Sequence, residues 1–110
     1  MHQYLFSYGT LQFPEVQMQL FGRLLEGDMD ILMGYEKAPI EITDERFIAN
    51  GGNRLQQIAI ASDPGNGILG MAFILTEEEL LKADKYEPVG YKRILVNLQS
   101  GIQAWIYVQG

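Results

Sequence analysis

No cysteine occurs in the 110 residues, and histidine occurs once, at His2. The first absence removes disulfides, thiolate nucleophiles and cysteine metal sites together. It fits a reducing compartment, so the cytoplasm is the expected location. The second leaves only His2, beside the N-terminus, so a His-bearing catalytic triad or a histidine-built zinc site is close to excluded, and neither a metal nor a cofactor is expected. Basic charge is also scarce: eight Lys and Arg stand against fourteen Asp and Glu, a net charge of −6. A phosphate backbone needs a basic footprint, so no nucleic-acid partner is expected, and anionic membranes are disfavoured for the same reason. No apolar run nears the roughly 18 residues of a membrane span, and no basic stretch leads into an apolar core near Met1; the expectation is a soluble protein. Catalysis, if present, must rest on carboxylates, tyrosines, lysines or backbone dipoles.

What is present is a globular balance, 47% hydrophobic against 20% charged. The length suits one hydrophobic core, so residues 1–110 read as a single domain. Net charge of one sign favours a monomer, although composition leaves the oligomeric state open.

Tyr4–Tyr8 is a short apolar run of β-formers that breaks at Gly9. Backbone amides that leave a strand at such a turn have no ladder partner and readily hold an anion. Tyr8, Gly9, Thr10 and Leu11 are therefore either a ligand cradle or a plain turn in which Gly9 supplies a positive φ. Pro14 opens a short helix to Leu20, with Val16 and Leu20 toward the core. From Phe21 to Thr43 the apolar residues are punctuated by Gly22, Gly27 and Gly34, which suits strands with bends or bulges, and Pro39–Thr43 alternates as a half-exposed strand. Asp44–Asn53 ends in the turn signal Asn50-Gly51-Gly52-Asn53. Leu55–Ala61 and Ile68–Leu75 flank a dense turn cluster and are expected to pair as a hairpin, with Gly70 marking a bulge.

Thr76-Glu77-Glu78-Glu79 is a capping-box pattern, and Pro88 stops the helix it starts near Tyr86 or Glu87. Tyr91–Leu98 and Ile102–Val108 complete the sheet as a second hairpin. About six or seven strands with two short helices give an α+β domain built on a curved, mainly antiparallel sheet or a partly closed barrel. Glu87 sits at the C-terminal end of the capped helix, where the dipole disfavours its charge; burial against Tyr86 and Tyr91 would raise its pKa further. It is a candidate proton shuttle, although a glutamate at a Glu-Pro junction is normally a solvated helix end.

Leu5-Phe6-Ser7-Tyr8-Gly9-Thr10-Leu11, then Lys85-Tyr86-Glu87-Pro88-Val89-Gly90-Tyr91-Lys92-Arg93, then Ala104-Trp105-Ile106-Tyr107-Val108 resemble the gamma-glutamylcyclotransferase-like family, the AIG2-like proteins. Gly70-Met71-Ala72-Phe73 is similar to the family's strand before the capped helix. The resemblance implies a small-molecule gamma-glutamyl substrate and release of 5-oxoproline as the substrate's α-amine attacks its own γ-carbonyl. It implies Glu87 as general acid/base, and Tyr8, Gly9, Thr10 and Leu11 as the cradle of the glutamyl group. Tyr91 and Tyr107 are pocket candidates that either donate to the developing oxyanion or serve as amphipathic core tyrosines. Arg93 is either a solvated strand arginine or a partner of Asp84 or of a substrate carboxylate.

The chain departs from the family at Ala83-Asp84, where Leu-Asp is common, and at Glu87-Pro88, where Gly usually follows the glutamate. The stretch from Asp28 to Asn53 matches only loosely, which leaves the leaving amine unassigned. The alternative to an enzyme is a binding module that keeps the cradle without turnover. A hydrolase using Glu87 and water lacks a second placed carboxylate.

Overall fold

Leu5 and Phe6 are neighbours in the first strand and each is only 1% exposed, so the sheet that carries them must be covered on both faces. The computed structural model describes residues 2–49 and 54–109. In chain order these form β1 (His2–Ser7), a 3-10 turn (Thr10–Gln12), α1 (Pro14–Phe21), β2 (Glu26–Met33), β3 (Tyr35–Glu41), α2 (Glu45–Ala49) and β4 (Leu55–Ala61), followed by β5 (Gly67–Thr76), α3 (Glu77–Tyr86), β6 (Tyr91–Asn97) and β7 (Gln103–Gln109). Five strands make one sheet in the order β2-β5-β1-β7-β6, while β3 and β4 form a separate two-stranded ribbon. Every pairing is antiparallel except that of β1 with β7, which meet at Leu5 and Trp105.

The two faces follow the two-residue period of a strand. Phe6, Ile68, Ala72, Ala104, Ile106 and Val108 pack with Ala59 of the ribbon. On the other face Leu5, Phe73 and Leu75 pack with Leu80 and Ala83 of α3, and Val16 and Leu20 of α1 lie against the same cluster. Gly70 sits where β1 crosses close to β5: a Cβ there would stand 2.7 Å from Phe6 Cζ. It pairs in regular register with Asp30, so it marks a close approach and not the expected bulge.

The α+β, mainly antiparallel architecture agrees with the sequence expectation, but two further local features differ. β4 and β5 do not form a hairpin; β4 pairs with β3, and β5 with β1 and β2. With both of its edges taken inside the sheet, β5 has none left for β4. A third helix, α2, occupies the first part of the segment read as a turn, because Asp44 caps it through the amides of Arg46 and Phe47. The Asn50–Asn53 turn lies outside the described residues. No helix among the described residues is long and apolar enough to cross a membrane.

The capping box opens α3 as expected: the Thr76 side chain accepts from the Glu79 amide, and Glu79 accepts from the Thr76 amide. Arg23, beyond α1, donates two 2.8 Å bonds to the same carboxylate. These bonds, Arg23 first, outweigh burial and lower the Glu79 pKa from 4.5 to about 2. The stability this supplies is present above the unfolded value and is lost as pH falls toward the folded one. Glu79→Ala is expected to lower unfolding free energy by about 2 kcal/mol at pH 7, measured by urea denaturation. The gap between variant and wild type should narrow as pH falls from 4.5 toward 2; a gap that stays constant there would point to packing instead of charge.

Candidate active site

β1 and β7 run parallel but pair only around Leu5 and Trp105, and β1 then leaves the sheet after Ser7. The two strands part at their C-terminal ends, and a cavity of about 50 Å³ lies beside the split. Tyr8 bridges the opening. Its hydroxyl donates to the Tyr107 carbonyl at 2.7 Å and accepts from the Ala59 amide at 3.0 Å, which ties the ribbon to the sheet. Burial raises the Tyr8 pKa well above the ordinary phenol value, so the group stays neutral.

Tyr8, Gly9, Thr10 and Leu11 all line the cavity. Gly9 has φ −134°, outside the left-handed region, so the positive-φ explanation for this glycine does not apply. A Cβ on Gly9 would meet nothing within 4 Å. Thr10 opens the 3-10 turn, whose first amides have no intrahelical acceptor. The Thr10 hydroxyl shares a 2.9 Å bond with that of Tyr86.

Glu87 follows the last turn of α3 and lines the same cavity. Its amide still bonds to the Ala83 carbonyl, but among the described residues no donor reaches its carboxylate. Burial, and next the negative charge of Asp84, push its pKa from 4.5 up to about 8. The loop beyond it is fixed by a turn from Pro88 to Tyr91, closed at 3.2 Å, with Gly90 at φ 97° where a left-handed residue is required. Asp44 holds this loop to α2 by accepting from the Val89 amide at 2.9 Å. That bond, with the other amides Asp44 caps, keeps its pKa below the usual carboxylate value.

The two candidate tyrosines differ. The Tyr107 hydroxyl donates to Asp84 at 2.6 Å, so it already has an acceptor. The Tyr91 hydroxyl is buried, lines the cavity and has no hydrogen-bond partner among the described residues. Burial, followed by the charge of Glu87, pushes its pKa up to about 12. Arg93 is taken by Asp84 through bonds of 2.8 and 3.0 Å, and its guanidinium lies 4.3 Å from the centre of the Trp105 ring.

The site thus combines a strand-to-turn cradle, one unpartnered carboxylate and one unpartnered phenol around a single small cavity. Over residues 5–110 the sequence matches the family described as gamma-glutamyl cyclotransferase, AIG2-like. The chain belongs to this family. Solved structures share the fold of this AIG2-like protein. An Arabidopsis thaliana protein solved in solution is 20% identical with a TM-score of 0.74, over 99% of this chain and 62% of that one. An uncharacterized Homo sapiens protein is 18% identical with a TM-score of 0.76, over 99% and 67%. A structure described as a gamma-glutamyl cyclotransferase is 16% identical with a TM-score of 0.76, over 100% and 68%. The chain therefore spans about two thirds of the length of these AIG2-like folds. No curated protein matches the sequence significantly.

Sequence reasoning missed three contributors to this cyclotransferase-like cavity. Phe47 of α2 lines it and packs edge-on against Tyr86, ring centres 5.7 Å apart. Gln56 and Gln57 of β4 line its far side. The available signal was Asp44 ahead of Glu45-Arg46-Phe47, a helix start with an apolar residue one turn in.

The folded chain keeps the Glu87 proton to a pH at which the unfolded chain has released it. Stability therefore falls as pH rises from 4.5 to about 8, by on the order of 4 kcal/mol in total. Glu87→Gln, neutral at every pH, is expected to melt above wild type at pH 8 and close to it at pH 5. Equal shifts at both pH values would exclude a desolvated carboxylate as the cause.

Proposed function

We propose that the protein is a gamma-glutamyl cyclotransferase that releases 5-oxoproline from a gamma-glutamyl amide, with Glu87 as the general acid/base. The observation that carries this reading is Glu87 itself: a carboxylate in the cavity, beside the cradle, with no hydrogen-bond donor among the described residues and a pKa pushed up to about 8 by burial and by Asp84. A group poised there takes and returns protons near neutrality.

The chemistry runs within the substrate. Glu87 accepts a proton from the α-ammonium, the freed amine nitrogen attacks the γ-carbonyl carbon, and a five-membered ring closes through a tetrahedral oxyanion. The amide C–N bond then breaks as Glu87 returns that proton to the departing nitrogen, and the second proton of the ring nitrogen is passed by the same carboxylate to the released amine, which leaves as an ammonium. Atoms balance without a protein nucleophile, and the absence of cysteine and of a second histidine is no obstacle. The protein's tasks are to fold the glutamyl chain so that amine and carbonyl meet, and to stabilise the oxyanion. The cradle from Tyr8 to Leu11 offers backbone amides to the α-carboxylate. Tyr91 is assigned the oxyanion, since its buried hydroxyl has no partner among the described residues, whereas that of Tyr107 is engaged by Asp84. The absence of cysteine supports action in a reducing compartment such as the cytoplasm.

Incubation with gamma-glutamyl amides, followed by mass spectrometry of 5-oxoproline, tests the reading. Wild type is expected to form product, and Glu87→Gln to lose at least about a hundredfold in kcat; equal turnover would end the assignment. Saturable binding without product in both proteins would make the chain a binding module. The pH profile of kcat/KM adds an independent check, because Asp84 raises the Glu87 pKa. Asp84→Asn is expected to move the limb set by Glu87 ionisation to lower pH; an unmoved limb would remove Asp84 from the mechanism.

A further inference from the structure

Among the described residues no donor holds the Glu87 carboxylate, so its place is set by the backbone on either side of it. On one side that backbone is the last turn of α3. The Glu87 amide bonds to the Ala83 carbonyl, and the hydroxyl of the preceding Tyr86 is bonded to Thr10 of the cradle. On the other side is the loop 88–90, which enters β6 at Tyr91. Pro88 is buried but has no amide to anchor, and Val89 leaves 76% of its surface to solvent. Among the described residues one hydrogen bond reaches this loop from another element, from the Val89 amide to Asp44 Oδ2 at 2.9 Å.

The two oxygens of Asp44 do different things. Oδ1 accepts from the Arg46 and Phe47 amides at 3.1 and 3.4 Å and so caps α2. Oδ2 spans 45 positions of the chain to Val89, and the Arg46 guanidinium stands 3.9 Å from the same oxygen. A cap needs one acceptor, which serine or asparagine would supply as well. What a carboxylate adds is the second acceptor, aimed at the loop that follows Glu87.

Resting on the cyclotransferase reading, we propose that Asp44 is a positioning residue for the reaction: through Val89, its second oxygen fixes the loop after Glu87 and with it the reach of the Glu87 carboxylate. Glu87 must serve two nitrogens in turn, the α-ammonium and the departing amide nitrogen, each from a hydrogen-bond distance of about 2.6–3.2 Å. A misplacement of about 1 Å in such a group costs up to about a hundredfold in rate. The cradle is held separately, by the bonds of Tyr8 to Tyr107 and Ala59 and of Thr10 to Tyr86. Loss of the Val89 bond therefore falls on turnover and spares binding of the glutamyl group.

Substitutions on opposite sides of the bond test this, with release of 5-oxoproline from gamma-glutamylalanine, gamma-glutamylphenylalanine and gamma-glutamylbutylamine as the assay. Asp44→Asn keeps one oxygen for the two helix amides and turns a donor toward Val89. Asp44→Ser keeps the cap and has no second oxygen. Val89→Pro deletes the amide without altering α2 or any charge. The turn from Pro88 to Tyr91 admits it: Gly90 has φ 97° and Val89 no positive φ, the pattern of type II, whose second position takes proline readily. Each variant is expected to lower kcat about tenfold or more with KM within about twofold of wild type. The double variant Asp44→Asn, Val89→Pro should be no slower than the slower single one, because both remove the same bond. If either Asp44 variant fails to fold, Val89→Pro decides alone. Unchanged kcat in Val89→Pro, or a rise in KM with kcat unmoved, overturns the positioning role and leaves the cyclotransferase reading standing. No product from wild type with any probe overturns both.

Discussion

The Tyr8 hydroxyl holds the two β-layers in one relation to each other. It is the donor to the Tyr107 carbonyl and the acceptor of the Ala59 amide, so one phenol satisfies a strand that has lost its neighbour and the outer edge of a ribbon strand. Without it, both backbone groups would lose the partner found here, and an unmade buried bond costs more than a made one gains. The cavity is a by-product of this arrangement. β1 must leave the sheet for Tyr8 to reach across, and the space it vacates is floored by Tyr8 and Tyr107 and walled by Gln56 and Gln57.

Along α3 and beside the sheet the carboxylates are sorted by their partners. Glu79 and Glu87 stand at opposite ends of α3 and are pushed in opposite directions, to about 2 and about 8. The first has a guanidinium, a backbone amide and the positive end of the helix dipole; the second has burial, the negative end and Asp84 nearby. Asp84 itself is bound by Arg93 and Tyr107. Asp30, although burial opposes it, is held below the usual carboxylate value by Ser100 and the Ile31 amide. Arg23, Arg93, Ser100 and backbone amides tie these partnered acids into the framework, whereas Glu87, which has no donor among the described residues, faces the cavity.

Local signals in the sequence carried most of the element order. The capping box at Thr76, the stop at Pro88, the helix begun by Pro14 and the run Leu55–Ala61 all appear where residue type alone would put them. Glu87 and the Tyr8–Leu11 stretch were legible too, partly by physics and partly by likeness to a family, and the fold brings them to one cavity. What was not legible is non-local. A dense turn between β4 and β5 signals a change of direction but says nothing about which sheet each strand joins, and the edges of β5 were claimed by β1 and β2. Gly70 looked like a bulge because its actual constraint, the Phe6 ring overhead, comes from another strand. Tyr91 and Tyr107 could not be separated by sequence, since the difference between them is whether Asp84 reaches the hydroxyl.

The bond from Tyr8 to Tyr107 joins residues 99 positions apart. A contact of that separation closes a very long loop, and the entropy of closure is met before the contact returns anything. The strand pairs of short separation, β3 with β4 and β6 with β7, face no such delay. Because the cavity joins residues from both ends of the chain, a ligand that binds there and not to the unfolded chain stabilises the fold as a whole.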